Sequence, residues 1–551
     1  MPEEDTQVNR RRFLEFAGVS TATAATVGLA GCLGDDEDLE EELDEELDDD
    51  DDDEEVVDDD DDEEIVDDEP FEMTMTQRED PTTLDPHDHR ETPTDNVILH
   101  AYEGNLWRAP DGEIIASLAT EWEQLDPDRH KLTIREGVQF HDGTELTPGD
   151  CAYSIRRVVD PDVGNLESPQ RDQLDGIVDA EVDEDDHAII VHSDGANPMV
   201  FANLASHCPV VSEDWIEARE PEEVAEEMNG TGPYQLEEFV DGEFVQLEAF
   251  DDYWDGRPEI DRVEIIAAGE DSTRVGQLEA GETDVVSAVP PPDAARVEAN
   301  EDLRIEDMGS TRILFIPMRY DVEPFTSVEF RQAMNYAIDL ESIISEILEG
   351  FGEATGQPTL AGYFGYDPDI EPYPYDPDRA EELIEESGFT DEEIEIEYPA
   401  GRYLLNDEIV AAVAGYIDDL DNVSCEAVSR DFGTLAGEIL DGDITTSPPM
   451  WNIGWGNTTF DASQTVVPWF REGTSQYHYV SEEMNDLLDR QGVEADPDER
   501  EEILKEINRY AHDNALWVFL NQEFLIFGIN ERIDFTIRQD EYFLAQDMRP
   551  A

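Results

Sequence analysis

A formal charge of −112, from 144 Asp and Glu against 32 Lys and Arg, is the strongest constraint on how this sequence can fold. Like charges at this density repel one another in dilute salt. Molar salt, with a screening length of about 3 Å, suppresses that repulsion. The chain is therefore expected to come from an extreme halophile. Lysine is nearly absent, with only Lys131 and Lys505, so arginine carries almost all the positive charge. The same Coulomb argument speaks against nucleic acid or anionic lipid head groups as direct partners. An acidic nucleic-acid mimic is disfavoured too, because the acids run through ordinary α/β sequence that is 39% hydrophobic.

The acid is not evenly spread. Residues 35–69 are almost wholly Asp and Glu. A block of like charge cannot bury enough apolar surface to fold alone, so an acidic disordered tether is expected. It lacks the ligand spacing of an EF-hand loop. Residues 1–34 read as two processing signals in series. Asn9-Arg10-Arg11-Arg12-Phe13-Leu14-Glu15 has the form of a twin-arginine export signal, with Arg10 and Arg11 at its centre. The apolar stretch to Ala30 is shorter than the roughly 20 residues of a spanning helix. Leu29-Ala30-Gly31-Cys32 follows as a lipobox, in which Cys32 becomes the lipidated first residue of the mature chain. Export and a lipid anchor on the outer face of the cell membrane are the expectation.

From residue 70 onward the pattern is globular and long enough for two or three domains. Strand-like runs at 131–134, 188–191 and 263–266 alternate with helical periodicity. The spacing of Phe330, Met334, Ala337, Ile338 and Ile344 predicts one helix over 328–348. Asp376-Pro377 opens another that Gly388 ends. Helical patterns also cover 482–488 and 498–511. Catalytic signatures such as G-x-S-x-G, H-E-x-x-H and a phosphate-binding loop are missing, so no enzyme, cofactor or metal is expected. Asp85, His87, Asp88 and His89 are dense in donor atoms, but a structural turn suits them better than a metal site. Cys151 and Cys208 are the one disulfide pair worth considering; buried free thiols are the default. Trp451-Asn452-Ile453-Gly454-Trp455-Gly456-Asn457 is a glycine-flanked aromatic segment. It suits the wall of a ligand cleft or the end of a packed strand equally well.

Several local blocks occur in a telling order. They are Thr83-Leu84-Asp85-Pro86-His87, Tyr102-Glu103-Gly104, and Leu132-Thr133-Ile134-Arg135-Glu136-Gly137-Val138-Gln139-Phe140-His141-Asp142-Gly143-Thr144. Gly230-Thr231-Gly232-Pro233-Tyr234, Asp252-Tyr253-Trp254-Asp255-Gly256 and Phe330-Arg331-Gln332-Ala333-Met334-Asn335-Tyr336-Ala337 follow. In this order, from about Pro81 to near the C-terminus, the chain resembles the extracytoplasmic solute-binding proteins of family 5, the peptide/nickel class of ABC importers.

The resemblance implies an α/β, periplasmic-binding-protein-like clamshell of class II type. Two lobes are joined by a hinge, with an extra inserted domain. Lobe I would take 70–105, 228–310 and 515–551, the extra domain 106–227, and lobe II 311–514. The implied function is a membrane-anchored, monomeric receptor that captures a peptide-like solute and delivers it to ABC permease subunits. A sugar or metal chelate is the alternative solute, and a secreted hydrolase a remoter one. Trp455 and Asp461 on lobe II, facing Tyr102 and Glu103 on lobe I, are the expected ligand-binding residues. Peptide-binding members hold the ligand's α-amine with an Asp three residues after the Trp of a Gly-Trp pair. That position is Thr458 here, with Asp461 three further on.

Overall fold

The described residues are 70–551, except 111, 441, 442 and 475, in a computed structural model. The expected export signal with Arg10 and Arg11, the lipidation site Cys32 and the acidic tether lie outside them. The largest sheet among the described residues has nine strands: β1 Glu72–Gln77, β2 Tyr234–Val240, β3 Phe244–Ala249, β4 Arg262–Ala267, β5 Val285–Val286, β6 Leu303–Pro317, β7 Gly352–Ala354, β8 Ile453–Gly456 and β9 Trp517–Asn530. Their order in space is β8-β6-β9-β5-β1-β4-β3-β2, and β7 also pairs with β9. β1 runs parallel to β4 and β5, while the other pairings are antiparallel. Alternation sets the buried face. Met73 and Met75 lie opposite Val263 and Ile265, and all four are buried. Each side chain of this size contributes about 1.5–3 kcal/mol on full burial.

β6 and β9 are long enough to belong to two cores. From Leu303↔Asn530 to Gly309↔Phe524 they pair regularly beside β5. The register then breaks and resumes at Ile313↔Gln522, where β8 joins β6 on the other side. Ser310, Thr311 and Arg312 thus share one gap with Glu523 alone. A bulge of this kind bends a strand and increases its local twist. Before the break, β9 carries Phe527 and Ile529 into a core with Met73, Tyr234 and Val263. Beyond it, Phe315, Trp517 and Phe519 pack with Trp469 and Trp451.

A separate antiparallel sheet orders its strands Ala119–Asp126, Arg129–Ile134, Ala188–Ser193, Ile177–Asp183. It packs on the helix Pro148–Val159, with its own core including Leu132, Ile155, Ile189 and Val191. That helix starts in a reciprocal capping box between Thr147 and Asp150, with Pro148 in its first turn. Both cysteines of this region, Cys151 and Cys208, are buried and unbonded.

The helix expected over 328–348 is two helices, Val328–Tyr336 and Leu340–Glu346. Asp339 is the reason: its carboxylate accepts from the Ser342 amide at 3.0 Å and caps a new start. The helix delimited by Asp376 and Gly388 spans Pro377–Ser387, and Gly388 takes a left-handed φ of 80°.

Candidate functional site

Four of the sequence blocks meet at a junction away from any ligand. Gly230 and Gly232 press against the chain at His100 and Ala101. A Cβ on Gly230 would stand 1.8 Å from the Ala101 carbonyl oxygen, so no other residue fits. This contact brings Thr231 to Glu103, whose carboxylate accepts from Thr231 Oγ1 at 2.8 Å, Tyr253 OH at 2.9 Å and Trp254 Nε1 at 2.9 Å. The Tyr102 hydroxyl accepts from the Asn229 amide at 3.1 Å, and His141 donates its amide to Gly230 O. Arg135 stacks 3.9 Å from the Trp254 ring. Burial outweighs these donors and pushes the Glu103 carboxyl up to about 7.

The cavity lies elsewhere. It measures about 530 Å³, within the 300–1,000 Å³ of small-ligand sites. Trp455, Tyr403, Phe432 and Trp469 form an aromatic side. Trp107, Leu204 and Tyr542 line it too, and the β6 bulge supplies Thr311 and Arg312. Trp455 is fixed by its Nε1 donating to Gln464 O at 3.1 Å and by an edge-on contact with Trp469 at 5.7 Å. Gly454 beside it leaves room for the Tyr403 ring, which would stand 2.7 Å from a Cβ there. Contacts between the helix Val200–Ser206 and the loop after β8 join two walls: Ser206 Oγ donates to Thr458 O at 2.9 Å, and Gln464 Nε2 meets His207 Nε2 at 3.4 Å. Non-glycine residues with left-handed backbone stand at the margin, among them Phe460 at φ 56° and Glu541 at φ 71°. Such conformations cost about 1–3 kcal/mol each and cluster where a fold holds a site in place.

Most cavity charges are already neutralised. Arg312 donates to Glu541 at 2.8 Å and pairs with Glu523 at 3.4 Å. Arg402 pairs with Glu79 at 3.2 Å and lies 4.4 Å from the Phe432 ring. Asp540 accepts from Arg538 at 2.6 Å. The turn at Asp88–Asp95 is different. Arg90 is exposed, and its guanidinium makes no hydrogen bond or ion pair with any described residue, although the Asp172 and Glu91 charges act on it. Asp95 is pushed up to about 8 by burial and then by the Glu91 charge. Burial holds His89 down to about 4 and His207 to about 3, so both rings are neutral.

Of the four residues expected to bind ligand, Trp455 lines the cavity, and so does Thr458. Tyr102 and Glu103 are buried in the junction instead. Asp461 does not line the cavity, and both its oxygens are taken by Arg500 at 2.6 and 2.9 Å and by the Ser463 amide and hydroxyl. Asp85 likewise forms a two-pronged pair with Arg157, and His87 bonds Pro209 O at 2.7 Å. That part of the acid/histidine cluster is structural. Tyr403, Phe432 and Arg90 were missed. Each sits in a stretch with no motif, and an Arg without a partner is invisible before the chain is folded.

An aromatic-lined cavity beside a bulged pair of strands shared by two α/β cores goes with a periplasmic-binding-protein-like fold of class II type. The family described as "Bacterial extracellular solute-binding proteins, family 5 Middle" matches residues 113–477, and the chain belongs to it. Members of this family are non-enzymatic transport receptors. The glutathione-binding protein GsiB of Salmonella paratyphi A is 25% identical over 85% of this chain and 92% of its own length. Heme-binding protein A of Haemophilus influenzae is 23% identical, covering 74% of this chain and 78% of that one. The periplasmic binding protein DppA of Helicobacter pylori, solved with the peptide STSA, superposes with a TM-score of 0.76 at 20% identity. It covers 87% of this chain and 98% of its own.

Proposed function

We propose that this protein is the solute receptor of an ABC importer, held on the outer face of the cell membrane by a lipid on Cys32. It captures a peptide-like solute and hands it to permease subunits. The observation that carries the reading is the 530 Å³ aromatic cavity beside the β6–β9 bulge. A ligand there can favour one arrangement of two bodies that turn about shared strands. Lobe I takes 70–105, 228–310 and the C-terminal segment, the extra domain 106–227, and lobe II the segment from 311. The crossing on β9 is drawn near Gln522 instead of at 515, because Trp517–Phe519 pair with Phe315–Pro317. The order of Arg10-Arg11, an apolar stretch and the lipobox supports export and anchoring. The acid excess supports a life in molar salt.

Peptide-like chemistry is the first reading because relatives bear the names of a glutathione-binding protein and a peptide-bound protein. A non-peptide solute is the second, favoured by the neutral Thr458 where peptide binders carry an acid. The test is native mass spectrometry of protein released from membranes in molar KCl, followed by tryptophan fluorescence titration with the solute found. A carried peptide or peptide conjugate supports the first reading. A carried sugar or chelate replaces it with the second. No bound solute, together with no response to any offered solute, refutes the receptor itself.

A further inference from the structure

We propose that Arg108 is a positioning residue that latches the cavity shut: through the Ser206 hydroxyl and the Phe460 ring it holds the loop carrying Thr458 against the opposite wall. The proposal rests on the receptor reading and adds what keeps a solute enclosed. Arg108 is buried at the end of the strand Leu106–Arg108. Its guanidinium donates to three neutral oxygens of its own wall, in a chain where acids outnumber bases 144 to 32. They are Ser206 Oγ at 2.7 Å, Gly112 O at 2.7 Å and Ala202 O at 3.3 Å. Ser206 accepts from Arg108 Nε and gives its own proton to Thr458 O, across the cavity rim, at 2.9 Å. A hydroxyl that accepts from a guanidinium donates more strongly, because hydrogen bonds in a chain polarise one another.

The Phe460 ring makes the second contact. Its centroid lies 5.4 Å from the Arg108 guanidinium carbon, within the range of a cation–π interaction. Gly112, at φ 84°, leaves the ring its seat, since a Cβ there would stand 2.8 Å from Phe460 Cδ1. On its own side the ring meets Tyr363 at 4.9 Å. The left-handed backbone of Phe460 is unfavourable for a bulky side chain, and it brings the ring to the other wall. Gln464, just beyond the loop, meets His207 on that wall and accepts from Trp455 Nε1, so the latched segment also fixes Trp455. Ser206 and Thr458 line the cavity, whereas Arg108, Gly112 and Phe460 do not. The latch can therefore be removed at those three without taking a contact from the solute. Molar salt decides which ties hold. The Arg402–Glu79 pair at 3.2 Å has side chains 28% and 48% exposed, and an exposed ion pair is worth little once screened. The contacts of Arg108 are buried and go to neutral acceptors, so salt leaves them in place.

The test uses the mature protein with Cys425→Ser and nitroxide labels at Glu184→Cys and Glu483→Cys. Both sites are exposed, one in the segment 106–227 and one in the segment from 311. Cys151 and Cys208 are buried and stay. Pulsed electron paramagnetic resonance in 3 M KCl gives the ratio of short to long label distances, which is the closed-to-open ratio. Protein as isolated should show mainly the short distance. Phe460→Gly removes the ring while glycine accepts the left-handed backbone, and it should lower the ratio by about 10-fold. Ser206→Ala should do the same. Arg108→Gln should lower it at least as far, and adding Phe460→Gly to it should have less effect than Phe460→Gly alone, since both contacts depend on one guanidinium. Glu79→Gln should leave the ratio unchanged. Melting curves confirm that each variant is folded, and Arg108→Lys takes the place of Arg108→Gln if that one is not. An unchanged ratio in Phe460→Gly and Ser206→Ala overturns the latch and leaves the receptor reading intact, as does a Glu79→Gln protein that opens as far as they should. One unvarying distance in the wild type, with its carried solute and after that solute is dialysed away, overturns closure and latch together.

Discussion

Replacing Asp461 by Asn separates a structural carboxylate from a ligand-binding one. Asp461 and Arg500 are held at 2.6 Å with side chains only 10% and 6% exposed. Breaking a buried pair by removing one partner costs about 3–5 kcal/mol, because the remaining charge stays buried. Salt cannot screen a pair so enclosed, so the cost persists in molar KCl. The amide oxygen of Asn can still accept from the Ser463 amide, now at 2.9 Å, and from one Arg500 N–H. The loss should therefore fall near the lower limit, about 3 kcal/mol. Unfolding entropy is about 2.1 cal/mol/K per residue. Over the described region of 70–551, melting as one unit, that converts to a fall of about 3 °C in Tm. Differential scanning calorimetry in 3 M KCl measures it. The double variant with Arg500→Gln should recover part of the loss, since no bare charge is then left buried. Affinity for the carried solute should not change. An unaltered Tm with lost affinity would show that Asp461 faces the solute, and would refute the reasoning.

The remaining expectations concern stacking, the junction, pH and salt. Trp455→Ala should weaken solute binding by about 1–3 kcal/mol at unchanged Tm, read by calorimetric titration; equal affinity would move the site away from β8. Glu103→Gln replaces one of the two accepting oxygens by an NH2 group among three donors, so it should cost about 1–3 kcal/mol of stability without altering affinity. Stability should peak near pH 6.5 in melts across pH 4–9. Below it, the buried neutral histidines 87, 89, 100, 141, 207 and 478, all held at about 3–4, lose their contribution as the unfolded chain takes up protons. Above it, Glu103 at about 7 and Asp95 at about 8 keep protons that the unfolded chain has lost, so stability falls as pH rises. Asp95→Asn should flatten that alkaline slope. Tm should also drop steeply below about 1 M salt as surface carboxylates lose screening, and a salt-independent Tm would contradict the charge argument.

Local chemistry was legible where a residue acts on its own neighbours. Asp376, Pro377 and Gly388 mark both ends of a helix because capping and left-handed backbone are short-range effects. Phe330 to Ile344 kept helical spacing through a break at Asp339, since periodicity cannot see a cap inside an apolar run. Trp455 was legible because an aromatic between glycines is rare in a plain strand. The partner of Asp461 was not legible for a physical reason: whether a carboxylate meets a ligand or an arginine depends here on Arg500, 39 residues away on the helix Pro497–Asp513. Glu103 misled in the same way, its three donors coming from residues 231, 253 and 254.

The ordered blocks and the cavity answer to different pressures. Tyr102-Glu103, Phe140-His141-Asp142, the Gly230–Tyr234 turn and Tyr253-Trp254 converge on one junction, where glycines press on backbone and a single carboxylate gathers three donors. Any substitution there costs packing and hydrogen bonds together, whatever the solute. The cavity draws on other stretches: the 88–95 turn, Arg402 and Tyr403, Phe432, and the loop after β8. Between them run β6 and β9, whose bulge carries Arg312 between Glu523 and Glu541. Changing a cavity residue therefore need not disturb the junction, and the strands that join the two cores are anchored by pairs no solute must supply. A fold divided in this way can keep its frame while its pocket chemistry drifts. This accounts for how relatives at 23–25% identity come to bear names as unlike as a glutathione-binding and a heme-binding protein.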